Sequence, residues 1–246
     1  MGVLDGRVAV VTGCASGIGR AIAMRCAAEG ARVVAADIVD PTPAVHVQGG
    51  EGDIRVRRAD VADAAAVSDL MRWTVVQHGR LDVLVCAAGI SGGSNATADY
   101  PESEFDRVIA INLKGVFLCM KYAIPEMLSG GGGAIVNIAS VMGLVGLPLT
   151  PAYSAAKGGV VQLTKVAALE YASRNVRVNC ICPGMIDTPM VQRIPASARE
   201  HFLVRQPISR LGRADEIAAA VVFLASEASA FTTGAALAVD GGFTAQ

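Results

Sequence analysis

Apolar and polar positions along the chain fall into two kinds of segment that follow one another in turn. Short runs rich in Val, Ile and Ala have the length and composition of strands. Longer segments between them place apolar residues three or four positions apart, as amphipathic helices do. The predicted strands are 7–12, 32–37, 54–59, 82–86, 134–140, 176–182 and 235–239. The predicted helices are 18–29, 64–77, 102–128, 152–173 and 215–226.

Several of the predicted strands, such as those around Val10 and Val136, are apolar at nearly every position. Strands of this kind occur in parallel sheets that helices cover on both faces, whereas a half-exposed strand alternates. Together with the order of strands and helices, this predicts an α/β fold. We expect a doubly wound, predominantly parallel sheet of about seven strands with helices on both faces.

Three segments do not follow the regular pattern. Residues 39–53 contain two prolines and three glycines, so any helix between the second and third strands must be short or irregular. Residues 129–133 read Ser-Gly-Gly-Gly-Gly and are predicted to form a loop. Residues 185–212 have no clear assignment, and they follow a strand end where open α/β sheets bind ligands. We therefore interpret 185–212 as a candidate substrate lid.

Composition and charge limit the kinds of molecule that the protein is expected to bind. The 246 residues carry 21 Lys plus Arg against 22 Asp plus Glu, a formal net charge of -1, which argues against nucleic acid or an anionic membrane surface. The first residues lack a basic segment followed by an apolar one, and no apolar run approaches the length of a bilayer span. We expect a cytoplasmic protein that is not bound to membranes and acts on a small molecule.

The six cysteines lie in apolar segments and are expected to be reduced core thiols. Cys180 and Cys182 form a Cys-x-Cys on a predicted strand, but no His or second Cys pair nearby completes a zinc site. The sequence therefore predicts no metal.

A glycine-rich turn, residues 12–19, joins the first strand directly to the first helix. Glycines at such a junction let the backbone turn tightly and approach a pyrophosphate, whose charge is favoured by the free N–H groups and dipole at the helix start. A dinucleotide site is one interpretation of this turn, and a merely tight connection is the other.

Asp37 ends the second strand, about 20 residues beyond the glycines, where a carboxylate can accept hydrogen bonds from an adenosine ribose diol. The carboxylate would repel a 2′-phosphate, and neither Ile38 nor Cys14 supplies a compensating positive charge. Asp37 thus indicates NAD rather than NADP, unless it is only a solvated acid at a strand end.

Tyr153 and Lys157 are four residues apart in a predicted helix, so they share one face. A cation beside a tyrosine stabilises the phenolate and lowers a pKa that is normally about 10. The pair therefore indicates general acid–base chemistry, although a solvated helix can carry the same two residues without any function.

Taken together, these motifs resemble the short-chain dehydrogenase/reductase family in its single-domain form, over essentially the whole chain. The resemblance implies that residues 1–246 form one Rossmann-like NAD(P)-binding domain that assembles as a homotetramer. The matching positions are residues 12–19, Asp60-Val61, Asn112, Ser140, Tyr153, Lys157, Pro183-Gly184 and Asp240-Gly241-Gly242.

The resemblance also implies roles for four catalytic residues. Tyr153 would be the proton donor or acceptor, and Ser140 would hydrogen-bond the substrate oxygen. Lys157 would hold the cofactor ribose and lower the pKa of Tyr153, while Asn112 would support a water-linked proton path. From the residues alone, Ser140 could equally be an ordinary hydroxyl at a strand end, and Asn112 could simply bond the backbone in a helix.

The same resemblance implies a set of cofactor-binding residues. Asp60 is assigned to the adenine amino group, although it could instead cap the helix that begins near Asp63. Thr188 is assigned to the nicotinamide carboxamide, although it could belong only to a turn. The full set is Gly13, Ser16, Gly17, Ile18, Gly19, Asp37, Asp60, Val61, Ala88, Gly89, Tyr153, Lys157, Pro183, Gly184, Ile186 and Thr188.

One motif departs from the family pattern. Where the family commonly has Asn-Asn-Ala-Gly after the fourth strand, this chain has Cys86-Ala87-Ala88-Gly89. We expect Cys86 to be a buried thiol that changes local hydrogen bonding, and Gly89 still permits close approach of a cofactor.

The predicted function is that of an NAD-dependent oxidoreductase that interconverts a secondary alcohol and a ketone. Apolar residues around the expected substrate position favour a substrate with an apolar body, unless they only pack the lid on the domain. They are Met142, Val145, Leu147, Met185, Ile186, Met190 and Val191, and polar contacts could come from Ser91, Ser94 and Asn95. Two alternatives stay open. Arginines in or near the lid could contact an acidic substrate or carrier, as in a 3-oxoacyl-thioester reductase. The fold could also serve a noncatalytic NAD-binding regulatory protein.

Overall fold

A parallel sheet forms the centre of the protein in the computed structural model, which describes residues 2–42, 45 and 53–245. The strand order in the described chain is β3-β2-β1-β4-β5-β6-β7, and every neighbouring pair runs parallel. This confirms the predicted doubly wound sheet. The strands are β1 Val8–Thr12, β2 Arg32–Asp37, β3 Ile54–Arg58, β4 Val83–Cys86, β5 Gly133–Ile138, β6 Val176–Pro183 and β7 Ala236–Val239.

Helices cover both faces of the sheet. They are α1 Gly17–Ala28, α2 Ala64–His78, α3 Glu102–Ile109, α4 Gly115–Ser129, α5 Pro151–Tyr171, α6 Pro189–Gln192, α7 Ala196–Val204 and α8 Ala214–Ala225. One face packs against α1 and α8, and the other against α2, α4 and α5. Val10 points into the second layer while Ala9 and Val11 point into the first, because successive strand residues face opposite sides. This explains why β1 is apolar at every position.

The predicted helix 102–128 is a single rod with an interruption. Between α3 and α4 the chain forms one wider π-helical turn, Ala110–Lys114, and Asn112 lies within it. An extra residue in one turn changes which side chains face the core, and such turns frequently occur at functional sites. A sequence pattern with helical spacing on both sides of the turn does not reveal it.

The irregular segments differ from prediction in detail. The candidate lid, 185–212, contains the two short helices α6 and α7. The predicted loop 129–133 is shorter than expected, because α4 includes Ser129 and β5 starts at Gly133. Most of the irregular connection 39–53 lies outside the described residues.

The rod of α3, the π turn and α4 corrects one expectation about membranes. Residues 102–129 are long and apolar enough to cross a bilayer by length and composition alone. Half of the most apolar stretch is buried inside the fold. Its inward residues, among them Leu118, Met120 and Met127, belong to the core layer beside α2 and α5. The packing of these residues in the core therefore accounts for the apolar composition of the segment.

Candidate active site

A cleft of about 520 Å³ lies at the carboxyl ends of the strands, on both sides of the point where β1 separates β2 from β4. This is the position at which open α/β sheets bind ligands. All sixteen predicted cofactor residues line the cleft, as does Ser140. The cleft also has apolar lining residues that the sequence did not indicate, namely Ile38, Val39, Ala59, Ala87, Ile90, Ile111, Ile138 and Ala139.

The glycine-rich turn is packed too closely for side chains. A Cβ on Gly13, whose φ is +77°, would lie 2.7 Å from the backbone nitrogen of Ala88, and a Cβ on Gly19 would meet the carbonyl of Gly13. Thr12 links the turn to the segment after β4, since its Oγ1 accepts hydrogen bonds from the N–H groups of Ala87 (3.2 Å) and Ala88 (3.3 Å). These contacts place the start of α1 at the cleft wall.

The start of α1 also has the chemistry of an anion site. Ser16 is the N-cap residue, but its side chain makes no capping hydrogen bond. The helix therefore presents backbone N–H groups and the positive end of its dipole towards the cleft. The glycine turn and this helix terminus fit the pyrophosphate of a dinucleotide.

Asp37 lies at the edge of the cleft beside the glycine turn. Its Oδ2 accepts a hydrogen bond from the N–H of Ala15 at 2.9 Å, and its Oδ1 accepts one from the N–H of Val39 at 3.3 Å. A cation that sequence reasoning missed is nearby. Arg58 pairs with Asp37 in the β2–β3 register, and its Nε donates to the carbonyl of Ile38 at 2.9 Å. Only the strand pairing reveals that these two residues are neighbours.

The structure decides between the two interpretations that the sequence left open for Asp60 and for Thr188. Asp63, not Asp60, caps α2, because its Oδ1 accepts from the N–H of Ala65 at 2.8 Å. Asp60 lines the cleft and accepts from the N–H of Ala62 at 2.8 Å. Thr188 combines both interpretations, since its side chain caps α6 and also lines the cleft.

Tyr153 and Lys157 lie one turn apart near the start of α5, and both line the cleft. The Lys157 Nζ lies 5.7 Å from the centroid of the Tyr153 ring and donates to the carbonyl of Ile138 at 2.7 Å. Ser140 follows β5, and its Oγ accepts a hydrogen bond from the N–H of Met142 at 3.2 Å. A tyrosine, a serine and a buried lysine thus meet on one wall.

Burial is the main influence on the pKa values of Tyr153 and Lys157. Removal from water raises the pKa of Tyr153 above 10.0, and a hydrogen bond with Ser140 opposes the rise. Burial also lowers the pKa of Lys157 from 10.5 to about 8. The expected lowering of the Tyr153 pKa by Lys157 therefore does not dominate in the protein alone, where desolvation is the larger effect.

Asn112 is placed differently from the other predicted catalytic residues. Its side chain is fully buried and is not part of the cleft lining. Its Oδ1 accepts from the N–H of Ile90 at 2.9 Å, and its Nδ2 donates to the carbonyl of Ile90 at 2.8 Å. Asn112 thus bonds backbone, as the alternative interpretation had it, but the partner is the segment after β4 and not a helix. The backbone that it holds is the cleft segment that includes Gly89 and Ile90.

Cys86 is a buried thiol, and a hydrogen bond to Cys119 together with burial raises its pKa. Cys86 pairs with Asn137 in the sheet register. The Asn137 Nδ2 donates to Thr164 at 3.0 Å, whereas its Oδ1 has no hydrogen-bond partner in the described part of the chain. A thiol is a weak donor compared with an amide, so the departure from the family motif alters local hydrogen bonding.

The other five cysteines are also free and buried. Among residues 2–42, 45 and 53–245, no three His, Cys, Asp or Glu side chains are grouped in a way that could hold a metal ion.

The lid is held down by an aromatic pair. Phe202 of α7 stacks on Phe243 near the carboxyl end of the chain, with ring centroids 4.2 Å apart. Four of the residues expected to surround the substrate do not line the cleft and belong to the apolar cluster that contains this pair, namely Met142, Val145, Leu147 and Met185. This matches the alternative in which they pack the lid on the domain. The cleft wall on the lid side is instead formed by Ile186, Thr188, Pro189, Met190, Val191 and Arg193.

Comparison with known proteins agrees with this architecture. A family model described as "Enoyl-(Acyl carrier protein) reductase" matches residues 13–244. The cis-4-hydroxycyclohexanecarboxylate dehydrogenase of Sinomonas cyclohexanicum is 46% identical over 241 residues, which cover 97% of both chains.

Solved structures are similar over the same extent. The crystal structure of levodione reductase superposes with a TM-score of 0.94 at 38% identity, covering 98% of this chain and 99% of that one. A putative 2-deoxy-D-gluconate 3-dehydrogenase from Agrobacterium tumefaciens, solved with bound NADP, has a TM-score of 0.92 at 37% identity and covers 99% and 98%. Similarity of this degree spans the cleft, the sheet and the lid alike, and the chain therefore belongs to the short-chain dehydrogenase/reductase family of oxidoreductases.

Proposed function

We propose that this oxidoreductase uses NAD to interconvert a secondary alcohol and a ketone, with Tyr153 as the general acid and base. The observation that carries the proposal is the meeting of Tyr153, Ser140 and Lys157 on the cleft wall. The six free, buried cysteines and the balanced net charge of -1 suit a cytoplasmic enzyme that acts on small molecules.

The residues of the cleft fit a nicotinamide dinucleotide from end to end. Asp60 and Asp37 would hold the adenosine, the start of α1 would hold the pyrophosphate, and Lys157 would hold the second ribose. Thr188 and Ile186 would hold the carboxamide. When bound, the nicotinamide accepts or donates the hydride at the reacting carbon.

Proton transfer is the task of the chain's own residues. In the direction of reduction, the Ser140 hydroxyl orients the substrate oxygen and the Tyr153 hydroxyl donates its proton to that oxygen. In the direction of oxidation, Tyr153 accepts the proton as phenolate. Because burial raises the pKa of Tyr153, the protonated form dominates near neutral pH, and oxidation is expected to speed up as pH rises.

The preference for NAD rests on Asp37. Its carboxylate is held beside the glycine turn by the N–H groups of Ala15 and Val39, in a position to bind a ribose diol. Arg58 is the opposing feature, since a guanidinium near this site is suited to a phosphate. The Agrobacterium tumefaciens relative was solved with bound NADP, so at least one member of the family binds the phosphorylated cofactor.

Replacing the Asp37 carboxylate should shift the cofactor preference from NAD to NADP, because Arg58 then remains as the charged side chain near this site. We expect Asp37→Ala to raise kcat/KM with NADP at least tenfold and to lower it with NAD, because repulsion of about 1–3 kcal/mol is removed together with the ribose acceptor. Steady-state rates with both cofactors measure this. The control is Asp40→Ala, an exposed carboxylate that does not line the cleft. Equal use of NAD and NADP by the unmutated enzyme would refute the preference.

The lid side of the cleft indicates the body of the substrate. Ile186, Met190 and Val191 present apolar side chains there, and a relative that is 46% identical is a dehydrogenase of a hydroxycyclohexane compound. We propose a cyclic secondary alcohol as the substrate class.

The proposal is tested by the change in absorbance at 340 nm when NAD or NADP is mixed with cyclic, linear and steroid secondary alcohols, and with acetoacetyl thioesters in the reverse direction. Turnover of a cyclic alcohol with NAD is the expected result. Turnover confined to the thioesters would favour the 3-oxoacyl-thioester reductase, the function closest to the description of the family model. Binding of NADH without any turnover would favour the noncatalytic regulatory protein. The presence of both Tyr153 and Lys157 argues against that alternative.

We also propose that the enzyme is a homotetramer. Large apolar side chains remain exposed on two helices of one face, where Phe117 of α4 is 44% exposed and Leu169 of α5 is 86% exposed. Phe231, near the C-terminal strand, is fully exposed. Apolar surface of this kind is typical of contacts between subunits. Light scattering in solution would measure the mass of the assembly.

A further inference from the structure

Five arginines in or just after the lid differ in the contacts that their side chains make. Arg193 lines the cleft. Its backbone N–H bonds the carbonyl of Val191, but its guanidinium makes no hydrogen bond or ion pair within the part of the chain that the structure describes. The other four have partners: Arg199 donates to Gln192 at 2.8 Å, Arg205 stacks on the Phe243 ring at 4.8 Å, Arg210 bonds Glu216 at 2.8 Å, and Arg213 bonds Asp215 at 3.0 Å. Arg193 is thus the lid arginine whose charge is available to a ligand in the cleft.

The surroundings of Arg193 define where that ligand would bind. Arg193 directly follows α6, whose residues Met190 and Val191 lie on the same wall. The acidic residues of the lining, Asp37 and Asp60, lie next to the glycine turn and the end of β3, where the proposed function places the adenosine. The lid side therefore combines an apolar wall with one positive charge at its exposed rim.

We propose that Arg193 determines specificity by binding a carboxylate on the substrate. A guanidinium can form two parallel hydrogen bonds to a carboxylate, and the adjacent low-dielectric wall strengthens the attraction. The substrate class is then an apolar, cyclic secondary alcohol or ketone that carries a carboxylate away from the reacting carbon. This assignment rests on the proposed function, because it places a substrate in the same cleft.

The test compares an acid with its uncharged counterpart. Initial rates are measured with 4-hydroxycyclohexanecarboxylate and 4-hydroxycyclohexanecarboxamide, and the ratio of the two kcat/KM values is calculated. We expect Arg193→Met to lower this ratio about tenfold or more, which is the effect of losing one charge-assisted contact. Arg193→Lys should retain part of the ratio because it keeps the charge. The control Arg199→Met, which removes a cation from the same lid, should leave the ratio unchanged.

Binding measurements make the test independent of turnover. Calorimetry compares cyclohexanecarboxylate with cyclohexanecarboxamide, each added to the enzyme–NADH complex. Tighter binding of the carboxylate that Arg193→Met removes supports the proposal even if no alcohol in the panel is turned over, in which case only the proposed reaction fails. Equal or undetectable binding of both compounds overturns it. So does an unchanged ratio accompanied by a raised KM for the cofactor, because Arg193 would then serve the cofactor phosphates.

Discussion

Tyr153→Phe is expected to reduce kcat by at least about 1,000-fold while changing the Kd for NADH by less than about threefold. The substitution removes a single hydroxyl and keeps the ring, which Lys157 approaches at 5.7 Å. The contacts that would hold the cofactor come mainly from other parts of the cleft, so they survive. Stopped-flow rates and NADH fluorescence titration measure the two quantities separately.

A second tyrosine on the same helix provides the control. Tyr171 ends α5, away from the cleft, and Arg174 lies over its ring at 4.6 Å. Tyr171→Phe keeps that ring and its packing on the core, and it should leave kcat within about twofold because the residue does not line the cleft. If Tyr153→Phe retained most of the turnover, the acid–base assignment would have to be abandoned.

Lys157→Met is expected to abolish turnover and yet to stabilise the protein at neutral pH. Lys157 is 5% exposed, and its pKa falls from 10.5 to about 8 because its charge is buried. A difference of that size corresponds to about 3 kcal/mol of destabilisation by the charged form. Loss of the hydrogen bond to the Ile138 carbonyl offsets about 1 kcal/mol of the gain. A net stabilisation of about 1–2 kcal/mol should raise Tm by about 2–8 °C.

The pH dependence of this gain is a distinctive signature. The folded-state pKa lies below the unfolded one, so between pH 8 and 10.5 the unfolded chain binds more protons and the stability of the wild type rises with pH. The advantage of Lys157→Met is therefore greatest below pH 8 and disappears towards pH 10.5. Urea unfolding at several pH values measures it, with the exposed Lys165→Met as the control. A variant less stable than the wild type at pH 7 would show that the charge of Lys157 is not a burden on folding.

The sequence predicted the sheet closely because burial on both faces gives strands a strong signal. β2 begins and ends at the predicted residues, and the other strands differ by one or two positions at their ends. The cleft was also predictable, since the motif residues stand at strand ends and the parallel order brings strand ends together.

What the sequence did not reveal depends on contacts between distant segments. The π turn around Asn112 is stabilised by its bonds to Ile90, which lies 22 residues away. The proximity of Arg58 to Asp37 follows from strand register. Arg193 lines the cleft while Arg199 bonds Gln192, and this difference depends on how the segment folds. Spacing along the chain carries no signal for any of these arrangements.

The composition of the cleft has a consequence for how the enzyme assembles. Its walls draw on segments from Gly13 to Arg193, and Gly13 and Gly184 are separated by most of the chain. A nascent or partly unfolded chain has not yet closed these long loops, so it offers no complete site to the dinucleotide. The ligand then stabilises only the finished structure, by about 2.7 kcal/mol at one hundred times its Kd. A higher cellular concentration of the cofactor would in this way shift the folding equilibrium towards the folded enzyme. Fewer molecules would then be unfolded and open to proteolysis.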